Sequence, residues 1–158
     1  MNKEIKSFNI RVYALIIKED SILVSREFIF GKYVYKFPGG GLEYGEGIIE
    51  CLQRESMEEM NQNLKDLDHF YTTDFFQQSE FNSKVQLIAV YFKAKLSSKI
   101  INKLDIPIKD FPVFEWRKIK DFLEEDLYFP TDKYVFNLLK KNHKIDWPFK
   151  SVVRTSLK

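Results

Sequence analysis

Glu55, Glu58 and Glu59 sit close together behind three consecutive glycines, Gly39–Gly41, in the stretch FPGGGLEYGEGIIECLQRESMEEM. On a helix that turns about 100° per residue they occupy positions i, i+3 and i+4 and share one face. Like charges at those spacings destabilise a helix by a few tenths of a kcal/mol per pair. Arg54 projects to one side of that face, and no lysine occurs between Lys36 and Lys65. A divalent cation would turn the repulsion into coordination, and clustered carboxylates suit a hard ion such as Mg²⁺ or Mn²⁺ better than zinc. The glycines fit the same chemistry, because their backbone can approach a ligand with no side chain in the way. From charge alone, a solvated acidic face remains the alternative.

These groups need a loop and a helix to hold them, and the surrounding pattern supplies both. Glu46–Met60 has no proline, and Ile48, Ile49, Leu52, Ser56 and Met60 recur on one side, which predicts an amphipathic helix. Before it, Phe8–Ile17 and Ile22–Ser25 read as strands of a hairpin, and a third short strand ends at Pro38 and the glycines. After it, HFYTTDFFQQSEF and KVQLIAVYFKAKL read as antiparallel strands joined by a turn with Glu80, Asn82 and Ser83. SSKIINKLD suggests a short helix from Ser97 or Ser98, FPVFEW a strand, and RKIKDFLEEDL a second short helix. FPTDKYVFNLLKKN closes the pattern as a helix, with Thr131 or Asp132 placed to cap its start.

With 158 residues, 44% of them hydrophobic and 30% charged, the chain has the make-up of one globular domain, here drawn over 1–142. A basic tail follows over 143–158. The net charge of +2 asks for neither a nucleic-acid nor a membrane partner. A single cysteine, Cys51, excludes an internal disulfide, and without an activating base it reads as inert. His69 and His143 are too scattered for a histidine metal site. Met1–Ser7 is short and polar, unlike a secretory signal, and no apolar run approaches membrane-spanning length, so a cytoplasmic protein is expected. Tyr35, Phe37, Phe75, Phe76 and Phe81 read as packing residues before they read as a base-stacking wall. Arg11 and Arg26 could meet phosphates, but strand arginines ordinarily face solvent.

Spacing sharpens the acidic helix. From Gly40 run five residues, Glu46, seven residues, then RESMEEM. This resembles the Nudix box: G, five residues, E, seven residues, R-E-aliphatic-x-E-E-x-G-aliphatic. Gly40, Glu46, Arg54, Glu55, Glu58 and Glu59 match, and FPGG matches the usual run-in. Ser56 stands where an aliphatic belongs, and Asn61 and Gln62 replace the final glycine and aliphatic. Asn61 is the substitute best able to take a left-handed, helix-ending conformation.

The resemblance implies an α/β fold, a Nudix-like α/β/α sandwich with a mixed β-sheet. It implies a Mg²⁺- or Mn²⁺-dependent hydrolase that cleaves the diphosphate linkage of a nucleoside triphosphate or nucleotide sugar. Glu55 and Glu59 would be the main metal ligands, with Glu58 a third ligand or a base through water. The Gly39 carbonyl would join the shell, Arg54 would orient the glutamates, and Glu46 would anchor the loop. A further acid is sought in Glu80, then Glu115. The implied partner is a small nucleotide-type substrate, selected by Tyr71–Ser83 and Pro107–Phe114, with a homodimer left open. A non-catalytic Nudix-fold binding module is the rival reading, opposed by the intact glutamates. An isomerase of the same fold would need a catalytic cysteine outside the box.

Overall fold

The computed structural model describes residues 4–103 and 111–143; the basic tail and part of the Pro107–Phe114 loop lie outside that range. Within it the chain forms β1 (Ser7–Lys18), β2 (Ser21–Ile29), β3 (Lys32–Lys36), β4 (Gly39–Gly41) and α1 (Ile48–Met60). Then come β5 (Leu64–Thr72), β6 (Gln77–Gln78), β7 (Val85–Leu96), β8 (Val113–Lys118) and α2 (Pro130–His143). The sheet is mixed: β1 runs parallel to β7 and antiparallel to β2 and β4.

β1 explains the layering. Its VYALI run is buried on both faces, as a strand between two helical layers should be. Val12, Ala14 and Ile16 pack with Cys51 and Leu52 of α1. Tyr13 and Leu15 point the other way, into a cluster with Val135, Phe136 and Leu139 of α2. The α/β sandwich is therefore one sheet between α1 and α2. Among the described residues, no helix is long and apolar enough to cross a membrane.

Several expectations change. The glycines do not merely end a strand; they form β4, paired as Arg11 with Gly41, Val12 with Gly40 and Tyr13 with Gly39. α1 starts two residues later than predicted, and Ile49 is exposed while Cys51, Leu52, Ser56 and Met60 are buried. Ser56 does not leave a gap in the core, because its hydroxyl donates to the Gln62 carbonyl at 2.6 Å. Asn61 adopts φ 55° and ψ 38°, the expected left-handed helix end, and its N–H returns to the Met57 carbonyl.

Among the described residues no helix begins at Ser97 or Ser98. The Ser97 hydroxyl donates to the Asn63 carbonyl, and the Ser98 N–H donates to Gln62 Oε1, which ties the end of β7 to the α1–β5 connection. RKIKDFLEEDL likewise yields only a 3₁₀ turn, Glu124–Asp126. Arg117 and Lys118 belong to β8, and the chain then turns to bury Ile119, Phe122 and Leu127. The capping expectation also fails. α2 begins at Pro130, so Thr131 and Asp132 lie inside the first turn, and Asp132 serves another purpose described below.

Candidate active site

β4 brings the backbone against α1. A Cβ on Gly40 would lie 2.0 Å from Glu55 Oε1, so this glycine is what leaves room for the Glu55 carboxylate. Gly39 has φ +133°, and a Cβ there would meet the Val12 carbonyl oxygen at 2.1 Å. Two adjacent positions thus exclude side chains for different reasons, one steric toward the helix and one backbone-conformational.

Arg54 does not project aside. Its Nε and Nη2 donate to both oxygens of Glu46 at 2.9 and 2.7 Å, and Nη2 also donates to the Gly41 carbonyl at 3.0 Å. Nη1 reaches Glu55 and Glu58, each at 3.3 Å. The guanidinium fork therefore locks the loop end of β4 to the acidic face and offsets much of its repulsion. The Arg54 hydrogen bonds hold the Glu46 carboxyl down at about 2. They also raise Arg54 above its ordinary value, with Glu46 the chief cause.

Glu59 turns inward instead. Burial pushes its carboxyl up to about 7, opposed by Lys36, reinforced by Glu27 and Glu55, and eased by the Gly39 N–H. Its Oε2 is buried with no hydrogen-bond partner among the described residues. Beside it, the buried Lys36 ammonium donates to the carbonyls of Gly39 at 3.1 Å and Phe37 at 3.4 Å, and pairs with Glu27 Oε1 at 3.0 Å. Burial works against the Lys36 charge, but Glu27 and then Glu59 outweigh it and raise its pKa. The Gly39 carbonyl thus already accepts one hydrogen bond; a second lone pair remains for another partner.

Glu58 is the outlier of the three glutamates, 58% exposed at its side chain. Among the described residues no three His, Cys, Asp or Glu side chains converge tightly enough to enclose a metal ion. The reason is visible: Arg54 draws Glu58 outward along the helix while Glu59 is folded inward. The donor chemistry nevertheless fits a hard divalent cation. Glu55 and Glu59 offer oxygens on the β4-facing side, and Glu59 Oε2 lacks the partner that a buried carboxylate oxygen requires.

Of the further acids, Glu80 is exposed and lines a narrow cleft with Arg11 and Tyr13. Glu115 is engaged elsewhere, with Arg26 at 2.9 Å and the Tyr35 hydroxyl at 3.2 Å. Cys51 is buried and its thiol is pushed up to about 12, first by burial and then by Glu46, which agrees with an inert side chain. Phe37 is core, whereas Phe75, Phe76 and Phe81 are exposed. His69 contacts Thr72 Oγ1 at 2.9 Å.

Two residues escape the sequence reading, and a third, Asp132, is expected there only as a helix cap. Lys36 and Glu27 meet diagonally across the β2–β3 ladder, where Ser25 faces Lys36 and Glu27 faces Val34. Asp132, fully buried, accepts the Phe37 N–H at 3.1 Å and the Tyr91 hydroxyl at 2.6 Å, pinning α2 to the loop that enters β4. Burial raises its carboxyl to about 6, against those two hydrogen bonds.

A family model described as the NUDIX domain matches residues 7–139, from the start of β1 into α2. The chain belongs to the Nudix family. Solved structures carry the same fold at low identity. A NUDIX hydrolase from Nitrosomonas europaea superposes with TM-score 0.68 at 20% identity, over 85% of this chain and 89% of that one. A MutT NUDIX hydrolase from Burkholderia pseudomallei gives TM-score 0.67 at 16% identity, over 84% and 98%. A structure described as an ADP compounds hydrolase gives 0.63 at 19%, over 90% and 75%. No curated protein sequence matches the chain. Nudix membership classes it as a pyrophosphohydrolase.

Proposed function

We propose that the chain is a Mg²⁺- or Mn²⁺-dependent hydrolase that cleaves the diphosphate linkage of a nucleoside diphosphate derivative, a nucleoside triphosphate or a nucleotide sugar. The observation that carries this reading is Glu59 Oε2, buried without a partner beside Glu55 and the glycine strand. Glu55 and Glu59 would hold the ion, with the free lone pair of the Gly39 carbonyl completing the protein's share. When bound, the ion would neutralise diphosphate oxygens and stabilise the charge that builds up in the displacement.

The protein's own groups have separate tasks. Arg54 fixes Glu55 relative to β4 through the Gly41 carbonyl and Glu46, so that carboxylate is preorganised rather than gathered on binding. Glu58, the exposed member, is free to take a proton from an attacking water or to serve as a third ligand. Glu46 is a scaffold: its carboxylate accepts from Arg54 and from the Glu43 N–H at 2.8 Å. Lys36 holds the Gly39 carbonyl in place. The neighbour named for ADP compounds makes nucleoside diphosphate derivatives the first panel to screen.

The test is a screen of nucleoside triphosphates and nucleotide sugars with Mg²⁺ or Mn²⁺, run on wild type and Glu59→Gln. One substrate should be cleaved at its diphosphate, and Glu59→Gln should lose on the order of 10²–10³ of the turnover. Tight nucleotide binding indifferent to Glu59→Gln, with no hydrolysis across the panel, would instead mark a non-catalytic binding module.

A further inference from the structure

Arg11 lies on the opposite face of the sheet from α1, beside Tyr13 and directly across from Gly41. Its Nε donates to the Tyr13 hydroxyl at 2.6 Å, and the guanidinium lies 5.6 Å from the Tyr13 ring centre. Among the described residues it forms no ion pair, and its two terminal amino groups make no hydrogen bond. A guanidinium carries five donors, so one bond and one ring face leave most of its capacity unused in a half-buried setting. Burial opposes its charge. Tyr13 is the chief group sustaining it, and Glu55 and Asp132 add to it without contact.

The glycine strand links this group to the acidic one. Among the described residues β4 pairs only with β1; its other edge carries no strand, and there the Gly39 and Gly41 carbonyls accept from the Lys36 and Arg54 side chains. At Gly40 the missing side chain makes room for Glu55; at Gly41, one residue on, a Cβ would stand 3.8 Å from Arg11 Nη1 and 3.7 Å from Asn9 Oδ1. Successive strand residues advance about 3.3 Å and present opposite faces. A ligand lying along that strand-free edge of β4 therefore meets carboxylates on the α1 side and a guanidinium on the α2 side within one residue's length.

Resting on the hydrolase reading above, we propose that Arg11 is a substrate-positioning residue: its terminal amino groups receive a phosphate of the nucleotide-type substrate, at the edge of β4 away from the α1 glutamates. A metal held by carboxylates attracts phosphate only while it is present. A guanidinium, always charged and matched to paired phosphate oxygens, holds the anion in register independently of the ion. Glu80 lines the same cleft without pairing with Arg11 and supplies a competing negative charge at its mouth.

The experiment is calorimetric titration of inorganic pyrophosphate into the metal-free protein in EDTA, for wild type, Arg11→Gln, Arg11→Lys and Glu80→Gln. Steady-state kinetics on whichever nucleotide is cleaved accompany it. Arg11→Gln should weaken pyrophosphate binding by at least about tenfold and raise KM by a similar factor while kcat changes little. Arg11→Lys, which keeps the charge and guards against misfolding of the glutamine variant, should recover part of both. Glu80→Gln should tighten pyrophosphate binding. Unchanged pyrophosphate affinity and KM in Arg11→Gln overturn the proposal. It is equally overturned if Arg11→Gln and Glu80→Gln lower the melting temperature alike without altering pyrophosphate binding, since Arg11 would then be Glu80's structural partner. Because the titration contains no metal and no turnover, an inactive protein that still binds pyrophosphate through Arg11 would refute the hydrolase reading alone.

Discussion

Glu59 and Asp132 are two buried carboxylates whose protons are both held above their ordinary range, to about 7 and about 6. They differ in what surrounds them. Asp132 has a donor for each oxygen, the Tyr91 hydroxyl and the Phe37 N–H. Glu59 has a buried oxygen with no donor, and its carboxylate neighbours Glu27 and Glu55 add to the cost of its charge. A carboxylate with a donor on each oxygen is a structural clamp. One that is buried, crowded by like charges and incompletely bonded is kept for something outside the chain.

The largest effect should come from substituting Glu59. Glu59→Gln should remove on the order of 10²–10³ of the turnover while leaving the protein at least as stable at pH 8, since it removes an unfavourably buried charge. Asp132→Ala should do the reverse. Stranding the Phe37 N–H and the Tyr91 hydroxyl should cost about 2–3 kcal/mol in urea unfolding, with activity falling only as far as the entry to β4 loosens. If Asp132→Ala proves stable but inactive, the division between clamp and ligand is wrong.

A pH series separates the pair further. Both folded-state values are raised, so each group's favourable contribution is present below its unfolded value near 4 and is lost as pH rises through the folded one. Urea stability should therefore decline from pH 4.5 to about 7, by roughly 2–3 kcal/mol per group. Glu59→Gln should abolish the decline between about pH 6 and 7 and roughly halve its slope below pH 6, whereas Asp132→Asn should reduce only the slope below pH 6. Adding Mg²⁺ to wild type should act as Glu59→Gln does and leave the share of Asp132. The smallest effect is expected at Arg54→Lys, which keeps charge but cannot bridge Glu46, Gly41 and Glu55 together. Its Mn²⁺ affinity should drop by about tenfold, read by paramagnetic titration.

The two regions were not equally readable from sequence. The spacing from Gly40 to Glu59 named the acidic set because helix periodicity maps linear distance onto a face. The run of β1 likewise announced a strand, although its burial on both faces appears only in the structure. What escaped depended on register or reach. No local pattern says that Lys36 meets Glu27 across a hairpin, or that Asp132 meets Phe37 from the far end of the chain. β4 escaped because glycine has little strand preference of its own and is held there by β1. Ser97 and Ser98 looked like helix caps because the same hydroxyl and amide groups that start helices can equally tie loops together. Arg54 was misjudged because the direction of its Cα vector says little about where a long side chain delivers its charge.

The ion pair of Lys36 with Glu27 has an effect on valence. That pair is electrically closed, and so is the bidentate pair of Arg54 with Glu46. Glu58 is largely exposed, where water screens its charge. What is left unbalanced beside β4 is the charge of Glu55 and Glu59, two negative units when both are ionised. A sodium or potassium ion would leave half of that uncompensated in a partly dry setting, while one doubly charged ion closes it. By neutralising their own partners, the two basic residues leave a remainder of two units, and on the hydrolase reading this remainder would favour a doubly charged ion before any question of ionic radius arises.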